Sequence, residues 1–114
     1  MPNPALRATL AGCILLIGLF LLVSRGPIQT SLTGVVSDTS CAAHLSMAGN
    51  AACVRNCVKA GAAYALVVGS NLFPLAPADP QVLAALNRLA GARAAVRGTL
   101  AGMTLTVRSA VPAR

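Results

Sequence analysis

The chain has 114 residues and a net charge of +7, with nine basic residues against two acidic ones, and 56% of its residues are apolar. This length accommodates a single domain. Because Asp38 and Asp79 are its only carboxylate side chains, a paired-carboxylate glycoside hydrolase site is not expected. The basic residues are dispersed and only three residues are aromatic, which argues against nucleic-acid binding.

The N-terminal segment has the pattern of an export signal. Residues 8–24 (ATLAGCILLIGLFLLVS) carry no charge and lie between Arg7 and Arg25. As a helix they would span about 25 Å, close to the roughly 30 Å of a bilayer's hydrocarbon core. A charged start, an apolar stretch and a polar exit are the layout of a secretory signal.

We expect residues 1–25 to be retained as a signal-anchor, forming an N-terminal transmembrane helix. Arg25 occupies positions where signal cleavage requires small side chains, and no suitable motif precedes it. Cleavage followed by secretion is the alternative. Residues 10–13 (LAGC) match a lipoprotein box, but most of the apolar run follows Cys13. We interpret that match as coincidental.

Residues 26–31 (GPIQTS) are predicted to be a short tether, and residues 32–114 are predicted to form the exported domain. Its first strand is expected at residues 32–37 (LTGVVS). A helix capped by Asn50 then runs to Ala60 and stops at Gly61. Residues 64–68 (YALVV) and 72–73 predict a hairpin.

The second half of the domain is predicted to contain a further helix and two strands. Asp79 and Pro80 start a helix that ends at Gly91. Four apolar residues are expected to share one face of it: Val82, Leu83, Leu86 and Leu89. Residues 92–100 and 103–109 predict two final strands. The second alternates apolar and polar residues from Met103 onward, which predicts that Met103, Leu105 and Val107 lie on its buried face.

The order of elements is therefore strand, helix, two strands, helix, two strands. Short strands around a small core predict a partly open, five-stranded barrel of the OB type with two short helices. The domain is accordingly α+β or mostly β. A five-stranded α+β roll is the alternative.

Several residues together resemble a group of small exported bacterial proteins without an assigned function. The shared pattern is SDxxCxxH, which covers residues 37–44, followed by CxxxCVKxGxxYAL, which covers residues 53–66. The resemblance extends over about 75 residues. It implies an exported, five-stranded domain and no activity. Together with the signal-anchor, the expected location is the bacterial inner membrane, with a periplasmic C-terminal domain. Ala42 stands where that group has glycine.

The candidate site is a cluster of three cysteines and one histidine: Cys41, His44, Cys53 and Cys57. Cys53 and Cys57 are four residues apart on a predicted helix and thus share a face. The four side chains could hold zinc or copper(I), because thiolates and imidazole suit both metals. Alternatively, Cys41 pairs with Cys53 or Cys57 in a disulfide, which is the expected state of thiols outside the cytoplasm.

Other chemistries find less support in the sequence. Cys41-x-x-His44-x-x-Met47 has the spacing of a blue-copper ligand loop, but His44 is the chain's single histidine and such a site needs two. A Cys41–His44 dyad has no recognisable orienting group. We therefore expect no enzyme activity.

The predicted function is a non-enzymatic binding or accessory module, anchored in the membrane and stabilised by a disulfide. In this reading the chain needs no cofactor, and a membrane protein complex is a candidate partner. A metal-binding protein that holds copper(I) or zinc is the alternative. A thiol oxidoreductase ranks third.

Overall fold

The computed structural model describes residues 27–43 and 48–114. The predicted anchor at residues 1–25 lies outside this part of the chain, and so does His44. Among the residues described, no helix has the length and apolar character needed to cross a membrane.

The described residues form five strands, two helices and one short 3-10 turn. In chain order these are β1 (Ile28–Asp38), the 3-10 turn (Cys41–Ala43), α1 (Ala51–Lys59), β2 (Tyr64–Val68), β3 (Asn71–Pro77), α2 (Pro80–Arg88), β4 (Arg93–Ala101) and β5 (Thr104–Pro112). This order confirms the prediction of a five-stranded domain with two helices.

The sheet closes into a barrel with the strand order β1-β2-β3-β5-β4. It is closed where we predicted a partly open barrel, and the α+β roll is not formed. Closure depends on β1, which pairs with β4 from Ile28 to Val35 and with β2 from Val35 to Asp38. A strand of 11 residues is long enough to serve both neighbours.

The first strand begins four residues earlier than predicted. Residues 28–31, which we predicted as part of a tether, pair with residues 97–100 of β4. Their polar sequence does not resemble a strand, and the neighbouring backbone supplies the hydrogen bonds. The third strand is likewise longer than predicted and contains Pro74 and Pro77. It pairs with β2 up to Pro74 and with β5 from Leu75 onward.

The two ends of the barrel are distinct. The proximal end carries the start of β1 and the β4–β5 turn at residues 101–103, since Ile28 pairs with Leu100. The distal end carries the end of β1, the 3-10 turn and α1. Eleven strand residues place these ends roughly 30 Å apart.

The core fills the barrel and extends under both helices. Its apolar members are all less than a tenth exposed: Val36, Val54, Tyr64, Leu66, Leu75, Val82, Leu86, Ala90, Ala94, Val96, Leu105 and Val107. Two predictions about apolar side chains are wrong: Leu83 does not share the buried face of α2, and Met103 is not buried. Leu83 is 45% exposed because it faces away from the barrel, and Met103 is 54% exposed because it lies in the turn before β5.

Candidate functional site

Cys41 lies in a turn that a buried aspartate holds in place. β1 ends at Asp38, and one carboxylate oxygen of Asp38 accepts hydrogen bonds from the backbone N–H groups of Ser40 (2.7 Å) and Cys41 (2.8 Å). Asp38 is fully buried and Cys41 is 3% exposed. The chain therefore presents the Cys41 thiol from a well-defined position at the distal end of the barrel.

Helix α1 supplies the other two cysteines. The Asn50 side chain caps the helix by accepting a hydrogen bond of 2.9 Å from the backbone N–H of Cys53. Cys57 follows one turn later, on the same face as Cys53. Val54 is fully buried against the barrel, and this packing turns the cysteine face of α1 toward Cys41.

The structure brings the three cysteines together and resolves which of them pair. Cys41 and Cys53 form a disulfide between the 3-10 turn and α1. Cys57 keeps a free thiol, and its Sγ atom lies 3.3 Å from the Sγ atom of Cys41. All three sulfur atoms lie within 4.8 Å of one another. The predicted disulfide is confirmed, with Cys53 as the partner of Cys41.

This cluster can exist in two chemical states. With the disulfide closed, it is a covalent connection between turn and helix with one thiol beside it. With the disulfide reduced, it offers three thiolate ligands from two elements. Tetrahedral coordination at a Zn–S distance of ~2.3 Å separates neighbouring sulfur atoms by about 3.8 Å. The bonded Cys41 and Cys53 sulfur atoms would have to move apart to this distance, whereas Cys57 Sγ already lies 3.3 Å from Cys41 Sγ.

Asp38 is a site residue whose role the sequence reasoning missed. One of its oxygens supports the Cys41 turn, and the other, Oδ2, is buried without a hydrogen-bond donor among the described residues. A local signal was available: aspartate side chains hydrogen-bond the backbone two residues on in Asx turns. The sequence Asp38-Thr39-Ser40 places such a turn directly before Cys41.

A hydrogen-bond network joins the two helices to the barrel. The Tyr64 hydroxyl donates to the side-chain oxygen of Asn87 (3.0 Å), and the Arg55 guanidinium donates to the backbone carbonyl of Asn87 (3.0 Å). Burial raises the pKa of Tyr64 above its ordinary value, and the positive charge of Arg55 opposes part of that rise. The network therefore favours a neutral, hydrogen-bonded tyrosine and fixes α1 relative to α2.

Comparison with known proteins adds no family to this description. No family model matches the sequence, and no curated protein or solved structure is significantly similar to it. The resemblance to small exported bacterial proteins stays a prediction. Function must accordingly be inferred from the site itself.

Proposed function

We propose that this chain is a membrane-anchored, extracytoplasmic binding or accessory module without enzyme activity. The observation that carries the proposal is the Cys41–Cys53 disulfide. Disulfides persist in oxidising compartments and are rare in the cytosol. This agrees with the export signal predicted in residues 1–25 and with the predicted location in the bacterial inner membrane.

The barrel supports a binding role and is best described as OB-like. Its strand order is β1-β2-β3-β5-β4, and α2 lies between β3 and β4. OB-type barrels use their sheet face and loops to bind other molecules. The disulfide connects the turn after β1 to α1 and so stabilises the distal end. A membrane protein complex is the partner class that an anchored accessory module would contact.

Expression of the full chain in a Gram-negative bacterium tests this proposal. We expect the chain to stay in the membrane pellet after an alkaline carbonate wash and to be cleaved by protease added to spheroplasts. Peptide mapping without reductant is expected to show Cys41 linked to Cys53. Leu16→Arg places a charge in the apolar segment and should shift the chain from the membrane pellet to the soluble fraction, because arginine at a helix centre opposes membrane insertion by about 3 kcal/mol.

The matched control is Leu83→Arg, which places the same charge at an exposed position of α2. It should leave membrane retention unchanged. Recovery of the unaltered chain from the soluble fraction would overturn the anchor. Protease resistance in spheroplasts would overturn the extracytoplasmic location, and alkylation of both Cys41 and Cys53 would overturn the disulfide.

Metal binding is the second candidate function, favoured by the three sulfur atoms within 4.8 Å of one another. Once a dithiol reductant opens the disulfide, Cys41, Cys53 and Cys57 provide three thiolates for zinc or copper(I). We propose His44 as the fourth ligand. Metal binding then requires deprotonated thiols, and the affinity is expected to fall as the pH is lowered.

Competition between the reduced full chain and a chromophoric chelator tests the metal site. We expect one zinc ion per chain, and we expect Cys57→Ser to weaken binding at least about tenfold, since loss of an outer-shell group alone has that effect. His44→Ala should also weaken it. Cys13→Ser is the control because Cys13 lies in the predicted anchor. Unchanged zinc affinity in Cys57→Ser would exclude this site.

A further inference from the structure

A polar groove of about 470 Å³ runs along the outside of the barrel where β1, β4 and β5 lie side by side. Its walls are hydroxyl, amide and guanidinium side chains around a glycine floor: Gln29, Thr30, Ser31, Arg97, Gly98, Arg108 and Ser109. The Cys41–Cys53–Cys57 cluster lies at the other end of the barrel. The groove is therefore a separate site.

A β-bulge brings the two arginines of the groove together. Arg97 pairs with Ser109 while Gly98 pairs with Val107, and the register shift leaves Arg108 as the extra residue. Arg108 and Ser109 are consequently both exposed, where strict alternation would turn one of them inward. Arg97 is exposed on the neighbouring strand. Two guanidinium groups thus border one groove.

Among the described residues, neither arginine of the groove forms an ion pair with a carboxylate side chain. The chain has nine basic residues and two acidic ones. Both acidic side chains accept backbone hydrogen bonds elsewhere, Asp38 from Cys41 and Asp79 from Val82. Guanidinium forks flanked by hydroxyl groups match the oxygens of a phosphate ester. The chemistry of the groove therefore suits an anionic phosphate group.

The position of the groove indicates where that phosphate comes from. Gln29, the first residue of its lining, follows Arg25 by four residues, and four residues of extended chain reach at most about 14 Å. If residues 1–25 span the membrane, the Gln29 end of the groove lies near the headgroup layer, and Arg97, which pairs with Ser31, lies two residues farther from it. The same end of the barrel exposes two large apolar side chains, Ile28 (64%) and Met103 (54%).

We infer that the proximal end of the barrel docks on the membrane, with Arg97 and Arg108 binding the phosphates of anionic phospholipid headgroups. Ile28 and Met103 then contact the interface beside them. This inference rests on the proposed membrane anchor. Docking would fix the orientation of the barrel relative to the membrane.

Nuclear magnetic resonance of the full chain in lipid nanodiscs tests the inference. Discs of phosphatidylcholine alone are compared with discs that also contain phosphatidylglycerol, each doped with a gadolinium-chelate lipid. Docking should enhance relaxation of the Ser31 and Ser109 amides in anionic discs and leave the Lys59 amide unaffected. Arg97→Gln/Arg108→Gln should lower the docked-to-undocked ratio about 30-fold, given the attraction of each arginine to an anionic surface.

The matched control is Arg88→Gln/Arg93→Gln, which removes the same charge from exposed positions away from the groove. It should preserve docking. Equal relaxation in both kinds of disc would overturn the inference while the anchor stands. Perturbation of Ser31 and Ser109 by inorganic phosphate in neutral discs, without an effect of phosphatidylglycerol, would overturn docking in favour of a free-phosphate site. A chain that does not copurify with discs would overturn the anchor and the inference together.

Discussion

Replacing Cys41 with serine is expected to lower the free energy of unfolding by about 3 kcal/mol. The Cys41–Cys53 disulfide closes a loop with a sequence separation of 12, and a loop of this size restricts the unfolded chain by about that amount. For a domain of fewer than a hundred residues, this corresponds to a fall in Tm of about 12–24 °C. Cys41→Ser leaves Cys53 and Cys57 on one helix, where a bond between them would not connect α1 to the turn.

Cys53→Ser is expected to be less damaging than Cys41→Ser. The Cys57 Sγ atom already lies 3.3 Å from the Cys41 Sγ atom. Exchange with oxidised glutathione can convert the Cys41 and Cys57 thiols into a replacement disulfide, with the two electrons and two protons ending on two molecules of reduced glutathione. That bond would again join the turn to α1, and most of the lost stability should return. The third cysteine thus provides an alternative partner.

Urea unfolding of the full chain in detergent, without reductant, measures both effects. Mapping of unreduced peptides should show a Cys41–Cys57 link in the Cys53→Ser chain. Cys57→Ser is the control because it keeps the native disulfide, and we expect it to change stability by less than about 1 kcal/mol. Equal losses for Cys41→Ser and Cys53→Ser would show that Cys57 does not take over.

Gly98→Ala should destabilise the barrel at least as much as Cys41→Ser does. We expect the free energy of unfolding to fall by about 3 kcal/mol or more. A methyl group on Gly98 would overlap the carbonyl oxygen of Thr106 and lie 2.8 Å from its carbonyl carbon. Both obstacles are backbone atoms of β5, which cannot rotate away. Relief would require separation of β4 from β5 at the bulge, next to Arg97 and Arg108.

Gly102→Ala is the control for Gly98→Ala, and we expect it to be less destabilising. Gly102 has a φ of +62° in the β4–β5 turn, and an added Cβ atom there meets nothing within 4 Å. Only the backbone strain of the left-handed conformation remains, about 1–2 kcal/mol. Thermal unfolding followed by circular dichroism compares the two variants. A Gly98→Ala chain as stable as Gly102→Ala would mean that the strands can separate at little cost.

Features set by neighbouring residues were predictable from the sequence. Asn50 and Asp79 cap their helices as expected, because each side chain reaches an N–H group only three residues along the chain. Gly61 and Gly91 adopt the positive φ angles that end the helical segments. The proximity of the cysteines was also predictable in part, since four residues of helix place Cys53 and Cys57 on one face.

Features that depend on distant pairing were not predictable in this way. Residues 28–31 have no apolar pattern, and they become a strand only because β4 lies beside them. The Arg97–Arg108 groove depends on a register shift between two strands, which periodicity along either strand does not reveal. From the alternation along the last strand we also predicted that Met103 is buried, but it lies in the turn before β5 and is exposed.

The sequence by itself determined the number of strands and helices, the helix caps and the composition of the cysteine cluster, because these follow from interactions within a few residues. Only the tertiary structure decided that the barrel closes, that Cys41 bonds to Cys53 and that Cys57 stays free beside them. Cys53 and Cys57 are equivalent partners by spacing. The rotation of α1 on the barrel, set by the burial of Val54, distinguishes them.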